Sequence, residues 1–305
     1  MIQRSPLLAV AIATSVAIAG CGLGAGRGTS DVTLTVSRGF GTKPITQVTV
    51  QRVPGSETVM RMLERRVSVA TRYAGGFVES IDGLSGSSAH VDWFYYVNGV
   101  EAPKGAATTR VHQGDRIWWD LHDWSAAQDT PAVVGSFPEP FVHGVGGRRL
   151  PTVLECGSDV GTACQRVSDE MTAIGVPIAS QLIGTGSGTD SLAVVVGTWR
   201  DLRGEIVASL IDQGPAASGV YAKFSGDRLQ LLNPHGSVVM TLGPDAGLIA
   251  ATSQSSSEPT WLITGTDASG VSAAAAAFTQ AALRDHFALA VKGGTRLPVP
   301  LDGTT

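Results

Sequence analysis

Charge is scarce in this chain. Asp, Glu, Lys and Arg together make up 16% of 305 residues, and the formal net charge is −4. A protein that reads nucleic acid needs a cationic footprint against phosphate, so nucleic acid is not expected as a partner. Cysteine is nearly absent, with only Cys21, Cys156 and Cys164. No P-loop, His-Glu-x-x-His, Gly-x-Ser-x-Gly elbow or paired zinc-ligand spacing occurs. The histidines, His90, His112, His122, His143, His235 and His286, are scattered. These absences point to a non-catalytic protein with no cofactor and no metal. Long apolar runs are missing too. The one near the start, Leu7 to Ile18, is too short to span a bilayer, which takes about 20 residues.

That run is nevertheless informative. It follows Arg4 and ends in Ile18-Ala19-Gly20-Cys21. A positive start, an apolar stretch and small residues before the cut describe an export signal. The last four residues look like a lipobox, after which signal peptidase II cuts to leave a lipid-bearing cysteine. Residues 1–20 then read as a lipoprotein signal peptide and Cys21 as the lipidation site, carrying palmitate or similar chains. Residues 21–30 are glycine-rich, with no core-forming pattern, and read as a flexible tether. The expected location is the extracytoplasmic face of a cell membrane, with the membrane as partner through the anchor. More than one acyl chain gives stable anchoring where a single chain is marginal.

An oxidising compartment makes a disulfide the default for Cys156 and Cys164. Gly157 and Gly161 lie between them and can bend the loop. A short closed loop of this kind contributes on the order of 2–3 kcal/mol.

Residues 31–126 read as a first domain. Val32, Leu34 and Val36 alternate with Thr33, Thr35 and Ser37, the pattern of a strand with two unlike faces. Val48 and Val50 continue it in a second strand beyond a turn. After Pro54-Gly55, apolar residues at Val59, Leu63, Val67 and Ala70 fall on one helical face, which predicts a helix over 58–73. Strands follow at 77–81, at 91–97 and at 116–122. Asp82-Gly83, Asn98-Gly99 and Gly114-Asp115 supply the turns, and Asn-Gly is the strongest short hairpin signal among them. Two strands, a helix and further strands in this order predict a β-grasp arrangement, an α+β fold.

Three runs carry a family resemblance: Ser80-Ile81-Asp82-Gly83-Leu84, Trp93-Phe94-Tyr95-Tyr96-Val97-Asn98-Gly99 and Gly114-Asp115-Arg116-Ile117-Trp118-Trp119. In order and spacing they resemble the C-terminal domain of transcobalamin and intrinsic factor, a domain type of unassigned function in bacterial surface proteins. The resemblance implies a β-grasp fold and makes cobalamin one ligand to consider. The vitamin carriers complete their site with a helical barrel that this chain does not encode.

Alternation places Trp93, Tyr95 and Val97 on one side of their strand, with Phe94 and Tyr96 on the other. Trp119 and Leu121 oppose Trp118, Asp120 and His122. One face must pack on the helix. The other presents aromatics to a ligand or partner unless the rest of the chain covers it. Trp93, Tyr95, Trp118, Trp119 and Trp124 are the candidate binding residues. His122, between Asp120 and Asp123, could titrate near neutrality or ligate a metal, although a plain histidine is the simpler reading.

Residues 127–139 contain Pro131, Gly135 and Pro138 and read as a linker. Residues 127–305 read as an α/β domain with a mostly parallel sheet. Strands are expected at 151–154, 192–196, 220–224, 229–232, 238–242 and 261–264, with helices at 163–174, from 198 through 210, and at 271–283. Gly197-Thr198 and Gly265-Thr266 each follow an apolar strand. They either cap the next helix or form part of an anion site at the sheet's carboxyl edge. The expected function is a membrane-anchored ligand-binding lipoprotein that captures a small molecule. The alternative is an adaptor that binds another envelope protein.

Overall fold

The computed structural model describes residues 31–302, apart from 88, 187, 189 and 255–257. Residues 1–30, where a signal peptide, the lipidation site Cys21 and a tether are expected, lie outside the described residues. Among the described residues, no helix is long and apolar enough to cross a membrane.

The architecture is mixed α+β, built mostly from sheets with few and short helices. The first part contains β1 (Val32–Arg38), β2 (Lys43–Val50), α1 (Val59–Glu64), β3 (Val69–Arg72), β4 (Phe77–Ile81), β5 (Leu84–Ser85), β6 (Val91–Val97), β7 (Val100–Glu101) and β8 (Arg116–Asp123). Its main sheet has the order β2-β1-β8-β6-β7. The two central strands, β1 and β8, run parallel, and their other neighbours run antiparallel. The β6–β7 turn uses Asn98 and Gly99, both at positive φ (55° and 78°), as a tight primed turn requires.

The helix is shorter than its periodicity suggests. Thr58 Oγ1 accepts from the Arg61 amide and caps α1, but the helix ends at Glu64. Val67 and Ala70 are not part of it. Residues 69–72 (Val-Ala-Thr-Arg) instead pair with β4 in a separate small sheet, β3-β4-β5. Tertiary pairing overrides helical spacing where β-branched residues fit a strand well.

The second part contains β9 (Thr152–Cys156), α2 (Gly161–Ala173), β10 (Ile178–Leu182), β11 (Leu192–Thr198), α3 (Trp199–Leu202), α4 (Ile206–Gln213), α5 (Pro215–Ser218), β12 (Ala222–Ser225), β13 (Arg228–Leu232), β14 (Val238–Leu242), β15 (Ala246–Thr252), β16 (Thr260–Gly265), α6 (Ala268–Ala277), α7 (Gln280–Leu283), β17 (Ala288–Lys292) and β18 (Thr295–Val299). Its large sheet has the order β10-β9-β11-β16-β15-β17-β18. The first four of these strands are mutually parallel. β15 and β18 oppose the remaining strands, so the sheet is mostly parallel in direction. Strands β12 to β14 form an antiparallel sheet of their own. The expected helices at 198–210 and 271–283 are each broken in two. Cys156 and Cys164 are joined by a disulfide between the end of β9 and the first turn of α2.

The large sheet is buried on both faces, which explains the unbroken Leu-Ala-Val-Val-Val run of β11. Val194 and Val196 pack with Val167 and Met171 of α2 and Val271 and Ala274 of α6. Val195 points the other way, into a core with Trp199, Leu202, Ile211 and Leu231. That second core also takes in Phe40, Tyr96 and Trp118 from the first part.

The segment read as a linker is buried rather than exposed. Ala132, Val133, Val134, Ser136, Phe137 and Glu139 are all buried. The amide of Val133 donates to Gly99 and that of Glu101 to Pro131, so the segment extends the free edge of β7. Proline and glycine mark irregular backbone here, not solvent exposure.

Candidate functional site

The five expected binding residues are not gathered in one place. Trp93, Tyr95 and Trp119 lie in the core beneath α1, with Val59, Met62 and Leu63. Tyr95 and Trp119 stack at 4.8 Å, and Trp93 Nε1 donates to the Leu84 carbonyl at 3.0 Å. Tyr95 Oη bonds Thr109 Oγ1 and the Lys104 carbonyl. Trp124, at the end of β8, is half-buried and donates to Asp92 at 2.8 Å. Trp118 is on the opposite face, 3% exposed. That face is covered. Phe287, between α7 and β17, sits edge-on to Trp118, Tyr96 and His122 at 5.3, 5.5 and 5.3 Å. Phe40 and Tyr221 close the remaining side. Local alternation sorts the faces correctly, but nothing near Phe287 in sequence signals that it ends up there.

Beneath these rings lies a buried polar network. The Asp120 carboxylate accepts from Ser37 Oγ at 2.5 Å, from the amides of Phe40 and Gly41 at 2.9 Å each, and lies 3.0 Å from His122 Nδ1. Trp118 Nε1 donates to Ser37 Oγ at 2.7 Å. Asp120 and His122 are buried, so this network braces the β1–β2 turn instead of facing solvent. Among the described residues, no cluster of three or more His, Cys, Asp or Glu is placed to hold a metal. His143 pairs with Glu139 at 2.6 Å, and this hydrogen bond raises the imidazole pKa above its ordinary value. Thr198 caps α3 and Asp267 caps α6, so both Gly-Thr junctions are accounted for as helix starts.

The covered face continues past Trp118 toward β2, and there it opens. Register puts Thr49, Thr33 and Arg116 side by side across three strands, and Gln47, Thr35 and Trp118 in the adjoining row. These six residues form the floor of a crevice of about 280 Å³. The second part supplies the overhang: Gly135, Ser136, Gln280, Arg284 and Asp285. Two glycines permit the close approach. A Cβ on Gly135 would stand 2.7 Å from the Trp118 ring, and one on Gly41 would stand 2.0 Å from the Asp285 carbonyl oxygen.

Arg116 is the distinctive group in this crevice. Its Nη1 donates to the Phe137 carbonyl at 2.8 Å, and it has no ion-pair partner among the described residues. Burial lowers its pKa, but an arginine stays charged. Arg284 stands exposed at the rim, and burial raises the pKa of Asp285 beside it. The sequence reading passed over Arg116 and the threonine rows. The one signal it held was the polar side of β1, which only cross-strand register turns into a surface.

A second crevice, of about 470 Å³, opens between β7 and α5 and is lined by Glu101, Asp129, Pro131, Ala216, Ser253 and Glu258 among others. Glu101 accepts from the Thr130 amide at 2.6 Å, and burial pushes its pKa up to about 7.

Residues 56–123, from before α1 to the end of β8, match the model of a domain of unknown function (DUF4430). No curated protein matches the chain. Among solved structures it is similar to one described as a "putative metal binding protein" from Ruminococcus gnavus, at 21% identity and a TM-score of 0.25. That match covers 30% of this chain and 96% of the other.

Proposed function

We propose that this protein is a membrane-anchored, extracytoplasmic, non-catalytic lipoprotein that binds a small molecule. The lipobox before Cys21 supports the anchor, and the Cys156–Cys164 disulfide suits an oxidising compartment. We read the first part as a β-grasp domain of the transcobalamin C-terminal type. Parallel central strands β1 and β8 and a helix on one face of the sheet support that reading. The observation that carries the binding function is the crevice between Arg116 and Arg284, built from both parts of the chain. At about 280 Å³ it is just below the usual range of ligand pockets, roughly 300 to 1,000 Å³. It therefore favours a compact ligand over one of cobalamin's size.

Trp118 lies in the crevice floor, so tryptophan fluorescence reports on occupancy. Titration of the full-length protein with cobalamin and with cell-wall sugars is expected to change emission for one compact ligand. The variant Gln47→Phe, which fills the open side, should abolish that change. Labelled palmitate should enter the wild type and not Cys21→Ser. No response to any small molecule would favour the adaptor reading. That reading draws on the exposed aromatics Tyr73 (85%) and Phe77 (40%) on the β3–β4 hairpin, and cross-linking in intact cells would then capture one stoichiometric protein partner.

A further inference from the structure

The same crevice has a chemistry specific enough to name a ligand class, an inference that rests on the binding function just proposed. We propose that it takes a sugar acid: a compact molecule with one carboxylate and several hydroxyls.

The charge balance comes first. Two guanidinium groups, Arg116 and Arg284, and one carboxyl, Asp285, line the crevice. Even with Asp285 ionised the surplus is a single positive charge, which suits a monoanion better than a dianion. Arg116 is held in the floor without an ion pair among the described residues, and only Nη1 is committed, to Phe137. A planar guanidinium with free donors matches a carboxylate in a forked, two-bond geometry.

The floor comes second. Among the described residues, Thr33, Thr35, Thr49 and Gln47 form no side-chain hydrogen bond to the protein, and neither does Gln280 on the overhang. Strand geometry fixes their spacing: directly paired residues such as Thr33 and Thr49 stand about 5 Å apart at Cβ. A row of hydroxyls and amides with open hydrogen-bonding capacity complements a polyol and offers little to an apolar ligand. Trp118, almost fully buried, closes the inner end of the crevice as an apolar stop.

The test is calorimetric titration of the full-length protein with sodium glucuronate, glucose and glucose 6-phosphate. Glucuronate should bind at least tenfold more tightly than either of the others. Arg284→Gln, an exposed change that leaves the core untouched, should weaken glucuronate at least fivefold and leave glucose unchanged. Thr33→Val with Thr49→Val should weaken both. Glucose binding as tightly as glucuronate would overturn the acid, and tighter binding of glucose 6-phosphate would replace carboxylate by phosphate. In both cases blockage by Gln47→Phe would preserve the binding function. Glucuronate affinity unchanged in both Arg284→Gln and Gln47→Phe would overturn the site. If no ligand, cobalamin included, binds in a way that Gln47→Phe blocks, the binding function falls as well.

Discussion

The ring of Phe287 stands edge-on to that of Trp118, with centroids 5.3 Å apart and planes at 77°. One residue is in the second part of the chain and the other in β8, so this contact joins the two parts through a common core. Phe287 also meets Phe40, Tyr96 and His122. Truncation of so well-buried a ring costs about 3–5 kcal/mol. Phe287→Ala should therefore lower stability by that order. It should also split a single urea transition, followed by circular dichroism and by tryptophan fluorescence, into two non-coincident ones. Coincident transitions in the variant would show that the two parts unfold together without this contact.

Asp120 gathers donors from three directions, and the β1–β2 turn depends on it. Asp120→Ala leaves the amides of Phe40 and Gly41 and the Ser37 hydroxyl without their acceptor in a buried place. Removing one member of such a network costs on the order of 3 kcal/mol. Ser37→Ala, which leaves the carboxylate its other donors but takes the acceptor from the Trp118 indole N–H, should cost less, about 1–2 kcal/mol. Equal losses in the two variants, read from equilibrium denaturation, would show that the carboxylate is not the centre of the network.

Glu101 should make stability fall as pH rises. Its pKa is about 7 in the folded chain, against an ordinary value of 4.5. Between those values the folded state keeps a proton that the unfolded chain has released. Stability is then full below about 4.5 and declines toward 7. The ceiling is about 3 kcal/mol, at 1.36 kcal/mol per pKa unit. His143, held above its ordinary value by Glu139, acts in the same direction as pH rises through its raised pKa. Glu101→Gln keeps an acceptor for the Thr130 amide without the charge, so it should be more stable than wild type at pH 8 and equal to it at pH 4.5. A variant with the wild-type slope between pH 5 and 7.5 would refute the assignment.

Much of the local structure was legible in the sequence because it depends on neighbours along the chain. Alternation in Val32 to Ser37 and in Val91 to Val97 sorted side chains onto the correct faces. Asn98-Gly99 marked its hairpin, and the unbroken apolar run of β11 showed burial on both sides. The Cys156–Cys164 pairing was legible from their short spacing and the glycines between them. Where competing local signals coexist the reading failed, as at residues 67–72, whose helical spacing gave way to pairing with β4. Strands β15, β17 and β18 were not anticipated. They are short apolar segments whose partners lie elsewhere in the chain.

The site depended on tertiary structure alone. The sequence could say that β8 carries aromatics on both faces, but not that Phe287, more than 160 residues after Trp118, would cover one of them. Nor could it align Thr49, Thr33 and Arg116, because register between strands is a relation in space that no single segment encodes. Composition, periodicity and turn chemistry determined which residues form strands and which faces are apolar. Docking of the second part on the first decided that the aromatic face is core and that the polar rows beside it are the open surface.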